Sequence, residues 1–448
     1  MFQKILIANR GEIAVRIIRA CREMGIKTVA VYSEADRDAL HAQLADEAIC
    51  IGPAAPQESY LNMERILSAT IATKAEAIHP GFGFLSENSK FVEMCEKCNV
   101  TFIGPSADII HKMGNKSEAR KTMMEAGVPV VPGTKEPVYD VKEALEAAKE
   151  IGFPVMIKAS SGGGGKGMRI SESPEDFEEN FNTAQRESVN AFADDTMYLE
   201  RYVREPRHIE VQILGDKFGN VVQLGERDCS IQRRHQKMIE ESPSCAIDQA
   251  TREQMGETAV KAAKAVGYES AGTIEFLLDK SGEFFFMEMN TRIQVEHPVT
   301  EFVSGVDLVK EQIRIAAGLA LSVEQKDIVM RGHAIECRVN AEDPSRNFMP
   351  CPGTIENIHL PGGNGVRIDT AVFNGYQIPP NYDSMIMKVI VYDKDRASAI
   401  AKMRSTLGEV VIEGVQTNLD FQYDILNQKD FIEGNVTTSF IPEHYGIE

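Results

Sequence analysis

Two glutamates in the segment 273–290 are spaced to face each other across a β-hairpin. The apolar stretches TIEFLLD and FFFMEMN flank the turn sequence KSGE. A four-residue turn places Asp279 opposite Phe284 and, counting outward, Glu275 opposite Glu288, with Asn290 on the same side. Facing carboxylates repel unless a cation lies between them, and Mg²⁺ favours a few oxygen donors with room left for phosphate. The spacing therefore predicts a magnesium site; a solvent-facing acidic hairpin or a one-residue slip is the alternative.

The next residues, NTRIQVEHP, carry polar side chains at alternating positions. The proline at 298 biases the preceding residue away from helix, so we predict an extended segment. Arg292, Gln294 and Glu296 then fall on one side. An arginine for a small oxyanion, an amide for its orientation and a carboxylate base would form an acid/base site beside the metal. A surface ion pair between Arg292 and Glu296 is the alternative.

The run SSGGGGKG at 160–167 predicts a phosphate-binding loop, because glycines let backbone N–H groups converge on an anion. It is not a Walker A loop, since Lys166 is followed by Gly167 and the loop joins two strands. Lys158, at the end of the preceding strand, would add positive charge. A flexible surface hairpin is the alternative. The stretch ERDCSIQRRHQK (226–237) concentrates cationic groups where a polyanion would bind, whereas Lys116 has no signal of its own.

Composition limits the partners of this chain. Its 448 residues carry 48 Lys and Arg against 67 Asp and Glu, a net charge of −19, which disfavours nucleic acid and anionic membranes. No long uncharged apolar run or signal-peptide core is present, and eight cysteines without disulfide spacing fit reduced thiols, so we expect a cytoplasmic protein. The turn after AEAIHP lacks the glycine trio of a dinucleotide site.

Hydrophobic periodicity predicts the elements that position these groups. The start reads as strand, helix and strand, which indicates a parallel sheet. The proline-rich VPVVPGTKEP marks a boundary, followed by a small α+β module and then longer strand pairs. We predict an α/β protein with an N-terminal parallel α/β domain (1–113), a helical linker (114–130), a small α+β module (131–203) and a larger C-terminal α+β domain (204–448).

Ordered blocks along the whole chain resemble the biotin carboxylase subunits of bacterial acetyl-CoA carboxylases, which are ATP-grasp enzymes. The blocks are IANRGEIAVRIIRACREMGIKTVAVYS, AIHPGFGFLSEN, IKASSGGGGKGMR, ERDCSIQRRHQK, EFFFMEMNTRIQVEHPVTE, GHAIECRVNAEDP and PPNYDSMI. Ser161 and Lys166 depart from residues common in relatives. The resemblance implies the three-part ATP-grasp fold, with the module at 131–203 as a lid over ATP, and a reaction that joins bicarbonate to ATP through carboxyphosphate. The carboxyl group then passes to N1′ of biotin on a carrier protein, which feeds malonyl-CoA and fatty acid synthesis.

The same resemblance assigns roles to residues of this sequence. It implies nucleotide contacts at Lys116, Lys158, Gly164, Gly165, His208, Gln232 and His235, and an adenine hinge at Glu200, Arg201, Tyr202 and Val203. It implies Mg²⁺ or Mn²⁺, as two ions, at Glu275, Glu288 and Asn290, and a bicarbonate pocket at Lys237, Arg292, Gln294 and Val295. Glu296 resembles the base that deprotonates bicarbonate, and Arg338 the residue that stabilises the biotin enolate.

The implied partners are the biotin carboxyl carrier protein, the carboxyltransferase subunits and a second copy in a homodimer. Three alternatives stay open. The chain could be another ATP-grasp ligase, such as half of a carbamoyl-phosphate synthetase or a purine-pathway carboxylase. It could be the biotin carboxylase domain of a fused carboxylase, or a non-catalytic nucleotide-binding module.

Overall fold

The computed structural model describes residues 1–159, 168–192 and 195–447. Its N-terminal part is a parallel sheet of order β3-β2-β1-β4-β5. The strands are β1 Lys4–Ile7, β2 Lys27–Ser33, β3 Glu47–Gly52, β4 Ala77–His79 and β5 Thr101–Phe102. The helices are α1 Gly11–Glu23, α2 Leu40–Leu44, α3 Met63–Thr73, α4 Ser89–Lys97 and α5 Ala107–Gly114. Both faces of the sheet are covered, which explains why β1 is apolar without alternation.

The middle of the chain forms a small antiparallel sheet of order β7-β6-β8. Its elements follow the short helix α6 Lys116–Glu125 and are α7 Val141–Ile151, β6 Val155–Ala159, β7 Met168–Ser171, α8 Pro174–Phe192 and β8 Met197–Arg201. Phe177 and Phe181 on α8 pack on the buried residues of β6. This core is separate from those of the other two sheets, as a small independent module requires.

The remainder is built on a long antiparallel sheet of order β13-β12-β9-β10-β11-β14-β19-β18. Its strands are β9 Arg207–Gly215, β10 Val221–Arg233, β11 Gln236–Ser242, β12 Ser270–Leu278, β13 Phe284–Asn290, β14 His333–Asn340, β18 Val366–Thr370 and β19 Met385–Asp393. Short strands outside this sheet are β15 Glu342–Asp343, β16 Met349–Pro350, β17 Asn357–His359 and β20 Val411–Glu413. The helices are α9 Gln249–Ala265, α10 His297–Ser304, α11 Leu308–Ala316, α12 Arg396–Glu409, α13 Leu419–Asn427, α14 Lys429–Glu433 and α15 Phe440–Tyr445.

Charged residues alternate with apolar ones on the central strands of this sheet, and both kinds are buried or partly buried. On β9, Ile209 and Val211 pack against α9, while Glu210 between them faces the opposite side. On β14, Cys337 packs against α12 and the adjacent Arg338 faces away from it. One face of the sheet is thus a hydrophobic core, and the other collects charged groups.

The predicted three-part α/β architecture is confirmed. The three largest sheets of the described residues fall inside 1–113, 131–203 and 204–448, and the boundaries at 113, 130 and 203 remain a prediction. Among the helices of the described residues, none combines the length and apolar character needed to cross a bilayer.

Candidate active site

The hairpin of β12 and β13 pairs Glu275 with Glu288, as the sequence predicted. The route to that register differs from the prediction. Leu278, not Asp279, pairs with Phe284, so the turn is one residue longer. A β-bulge at Met287 inserts one extra residue on β13 and restores the predicted pairing beyond it. The longer turn and the bulge each shift the pairing by one residue in opposite directions, so the two glutamates still lie on one face of the hairpin.

The prediction that the segment after β13 is extended is wrong. Residues 291–296 form a loop, and α10 begins at His297. Pro298 lies in the first turn of α10, where its missing N–H group costs no intrahelical hydrogen bond, and this outweighs the bias against helix at the preceding residue. Arg292 donates to Gln294 at 2.7 Å, but its carboxylate partner is Glu87 rather than Glu296.

The Lys237 ammonium is the centre of the buried charges. It donates from β11 to Glu210 Oε2 at 2.5 Å, to Glu296 Oε1 at 2.8 Å and to Glu275 Oε1 at 3.0 Å. Burial alone would lower the pKa of Lys237, but the three carboxylates raise it well above its ordinary value. The side chain is therefore a fixed positive charge joining strands β9, β11 and β12 to the loop before α10.

Two cations hold the Glu296 carboxylate. Arg338 donates from β14 to Glu296 Oε2 at 2.9 Å and to Glu240 Oε1 at 2.5 Å, and Lys237 occupies the other oxygen of Glu296. Burial opposes ionisation of Glu296, yet Lys237 and Arg338 keep its pKa well below the ordinary value. Glu240 lacks comparable compensation, and burial raises its pKa to about 7.

Arg292 connects this cluster to the metal-site candidates. Its Nη2 donates to Asn290 Oδ1 at 2.9 Å. Asn290 and Gln294 in turn donate from their amide nitrogens to Glu275 Oε1 at 2.8 and 3.0 Å. One oxygen of Glu275 therefore accepts from three side chains, because Lys237 donates to it as well. His208 Nε2 lies 2.9 Å from the other oxygen.

The donor set at the hairpin fits a divalent cation. Burial, and then the charge of Glu275, raise the pKa of Glu288, while Lys116 acts in the opposite direction. Glu275 is buried and Glu288 is partly buried, and a cation between them would relieve the repulsion that raises the pKa of Glu288. His208, Glu210 and Glu275 also place ligand atoms within 4.8 Å of one another, a grouping that sequence reasoning did not find.

The nucleotide candidates are spread over two sheets. Lys158, on β6, forms an ion pair with Glu200 on β8. The Tyr202 N–H donates to the Pro154 carbonyl, which joins the segment after β8 to the residue before β6. Arg201 ends β8, Val203 follows it, and Lys116 is the exposed first residue of α6. Gly164 and Gly165 lie outside the described residues.

His235 occupies a tight turn between β10 and β11. Arg234 and His235 have φ of 49° and 64°, and the strands pair at Arg233 and Gln236. A two-residue hairpin turn with both φ values positive is usually filled by Asn and Gly, so larger side chains here are held in an unfavourable backbone conformation. The turn projects from the strand end that carries Gln232 and Lys237.

Sequence reasoning missed several members of the network. Arg227 is fully buried and donates to Glu210 Oε1 at 2.5 Å. Glu240 accepts a hydrogen bond from Arg338. Glu210 could have been found, because it lies two residues after His208 on one strand and so shares its face. Glu87 comes from the N-terminal domain and has no such local signal.

A parallel α/β domain, a small module and a long sheet with charged groups gathered on one face define an ATP-grasp type of architecture. Three family models match the chain: the biotin carboxylase N-terminal domain over residues 1–110, the carbamoyl-phosphate synthase L chain ATP-binding domain over 115–324, and the biotin carboxylase C-terminal domain over 336–443.

Named relatives are similar over the whole chain. Biotin carboxylase 1 of Bacillus subtilis is 58% identical over 100% of this chain and 99% of its own length. The biotin carboxylase–βγ-ATP complex from Campylobacter jejuni is 51% identical with a TM-score of 0.91, covering 99% of each chain. The biotin carboxylase domain dimer of Hydrogenobacter thermophilus 2-oxoglutarate carboxylase, with MgADP, ADP and bicarbonate, is 51% identical with a TM-score of 0.90, covering 100% of this chain and 98% of that one. The chain belongs to the biotin carboxylase family.

Proposed function

We propose that this chain carboxylates biotin with ATP and bicarbonate, and that bicarbonate is activated beside Lys237. The observation that carries the proposal is the convergence of two partly buried cations on one buried carboxylate: Lys237 and Arg338 bond opposite oxygens of Glu296 at 2.8 and 2.9 Å. The carboxylate is held ionised, as a base must be before it accepts a proton, and the cations beside it attract an anionic substrate.

Different residues would perform the successive steps of the reaction. Arg292, Gln294, Lys237 and the main chain of Val295 bind and orient bicarbonate. Glu296 takes its proton as a bicarbonate oxygen bonds to the γ-phosphorus of ATP and ADP departs. The carboxyl group of the resulting carboxyphosphate passes to N1′ of biotin as inorganic phosphate departs and takes up the N1′ proton, while Arg338 stabilises the negative charge of the biotin enolate. Glu296 becomes a stronger base when Lys237 or Arg338 turns to substrate, because its pKa then rises.

We also propose the nucleotide and metal contacts. Mg²⁺ or Mn²⁺, as two ions, would neutralise phosphate charge. The ions would be held by Glu275, Glu288 and Asn290. ATP would be bound by Lys116, Lys158, Gly164, Gly165, His208, Gln232 and His235, with Glu200, Arg201, Tyr202 and Val203 at its adenine end.

The partners belong to the same proposal. Biotin would arrive on a carrier protein, carboxyltransferase subunits would pass the carboxyl group to acetyl-CoA, and the enzyme would act in the cytoplasm as a homodimer. In a second candidate function, the carboxyl group passes from biotin to an acceptor other than acetyl-CoA. This candidate is considered because the biotin carboxylase domain of a 2-oxoglutarate carboxylase is 51% identical to this chain. Assays with separate carboxyltransferases distinguish them: malonyl-CoA production supports the first candidate and carboxylation of a 2-oxoacid the second.

The central experiment measures ADP release with bicarbonate, with and without biotin. We expect turnover that depends on bicarbonate and increases with free biotin. Turnover without any response to biotin at any concentration would indicate another ATP-grasp ligase. Full activity in Glu296→Ala would exclude the proposed base.

A further inference from the structure

The Glu87 side chain reaches the site from the N-terminal domain. It lies between β4 and α4, in the segment GFGFLSEN. Its Oε1 accepts from the Thr291 backbone N–H at 3.1 Å and from the Thr291 hydroxyl at 3.2 Å, and its Oε2 accepts from Arg292 Nε at 2.8 Å. Both carboxylate oxygens are thus used on two consecutive residues of the loop between β13 and α10.

These bonds determine where the Arg292 guanidinium points. Glu87 accepts a hydrogen bond from Nε of the guanidinium. Nη1 donates to Gln294 Oε1 at 2.7 Å, and Nη2 donates to Asn290 Oδ1 at 2.9 Å. A guanidinium is planar and its N–H groups form a rigid fork, so an acceptor at Nε sets the direction of both Nη groups. Glu87 therefore directs these groups towards the amides that bond Glu275.

The segment that carries Glu87 is itself held in place. Asn9, just after β1, donates from Nδ2 to the carbonyls of Pro80 and Phe82 at 2.6 and 2.8 Å. Gly81 has φ of +63°, and a Cβ atom there would meet Asn9 Nδ2 at 2.9 Å, so this close approach requires glycine. Glu87 consequently extends from a framework anchored to the parallel sheet.

We propose that Glu87 is a positioning residue for the bicarbonate step, acting by holding Arg292 in the orientation that receives the anion. The proposal rests on the proposed function and gives the N-terminal domain a direct part in the site. The Glu87 side chain is 39% exposed, so its replacement should cost little stability and leave a folded protein to test.

The test compares Glu87→Gln and Glu87→Asp with Glu93→Gln in the full chain. Glu93 is a matched control, because it lies on α4 nearby and makes an exposed contact with Lys97 at 3.7 Å. We expect Glu87→Gln to raise the KM for bicarbonate about 10- to 100-fold, on the scale of a small misplacement of a reacting group. The KM for ATP and the Tm should stay close to wild type. Glu87→Asp keeps the charge and should recover part of the loss, and Glu93→Gln should match wild type.

Three results would overturn the proposal. An unchanged KM for bicarbonate in Glu87→Gln, with normal bicarbonate-dependent turnover in wild type, removes the positioning role and leaves the proposed function intact. An equal rise in KM for both substrates, or a lowered Tm, assigns Glu87 to domain attachment instead. Wild type that releases ADP without bicarbonate contradicts the proposed function itself.

Discussion

Replacing Lys237 with methionine tests whether one ammonium balances the three surrounding glutamates. The substitution keeps a long unbranched side chain but removes the charge from a position only 12% exposed. Glu210, Glu275 and Glu296 would each lose a contact of 2.5 to 3.0 Å. Other partners remain, since Arg227, His208 and Arg338 each still face one of the glutamates.

The size of the effect follows from these contacts. A pair of unit charges about 4 Å apart is worth about 4 kcal/mol at an effective dielectric constant of about 20, and these contacts are shorter, but desolvation of the ammonium offsets much of the sum. Removing one partner from a buried ion pair costs about 3–5 kcal/mol, because a buried charge is left without compensation. We expect a loss of that size in the free energy of unfolding at neutral pH, together with loss of bicarbonate-dependent ADP release.

The loss should depend on pH with a definite sign. In wild type the pKa values of Glu275 and Glu296 lie below the ordinary value of 4.5, chiefly because their cations overcome the effect of burial. This stabilisation is present above the pKa of the unfolded chain and disappears as the pH falls through the folded pKa. The difference in the free energy of unfolding between wild type and Lys237→Met should therefore become smaller below about pH 4.5.

Urea denaturation followed by far-ultraviolet circular dichroism at several pH values measures this difference. The double variant Lys237→Met/Glu210→Gln has one negative charge fewer around the lost ammonium and should recover about 1 kcal/mol or more of stability, without activity. If Lys237→Met lowers the free energy of unfolding by less than about 1 kcal/mol at pH 7, or by the same amount at every pH, then Lys237 is not the charge that balances the glutamates.

Three further predictions concern single residues. Glu288→Lys should abolish Mg²⁺-dependent ADP release, because it inverts the charge at the proposed metal site; retained turnover would place the metal elsewhere. Arg338→Gln should raise the KM for biotin about tenfold or more and leave that for ATP nearly unchanged, as initial rates with each substrate varied would test. Glu240→Gln should gain stability relative to wild type between about pH 4.5 and 7, because ionisation of the raised-pKa carboxyl destabilises only the wild-type fold; parallel unfolding curves across that range would contradict this.

The hairpin of β12 and β13 marks how far local reasoning extends. Alternation and turn length predicted the Glu275–Glu288 pair, and the structure has it. The bulge at Met287 was not predictable, because no residue type in FFFMEMN signals one. The start of α10 at His297 was missed for a related reason: a proline is compatible with both an extended segment and a first helical turn.

By itself the sequence determined the pairing of Glu275 with Glu288, because that pairing depends on spacing within one segment. The resemblance of its ordered blocks supplied the family and the roles proposed for Lys237 and Arg338. Only the tertiary structure decided which charges meet. Lys237 lies on β11, and the sheet order β12-β9-β10-β11 brings β9 and β12 to the same side of it. Its ammonium therefore contacts carboxylates from β9, β12 and the loop before α10. Glu87 reaches Arg292 across 205 positions of chain. Such pairings depend on sheet order and domain packing, which no local pattern encodes.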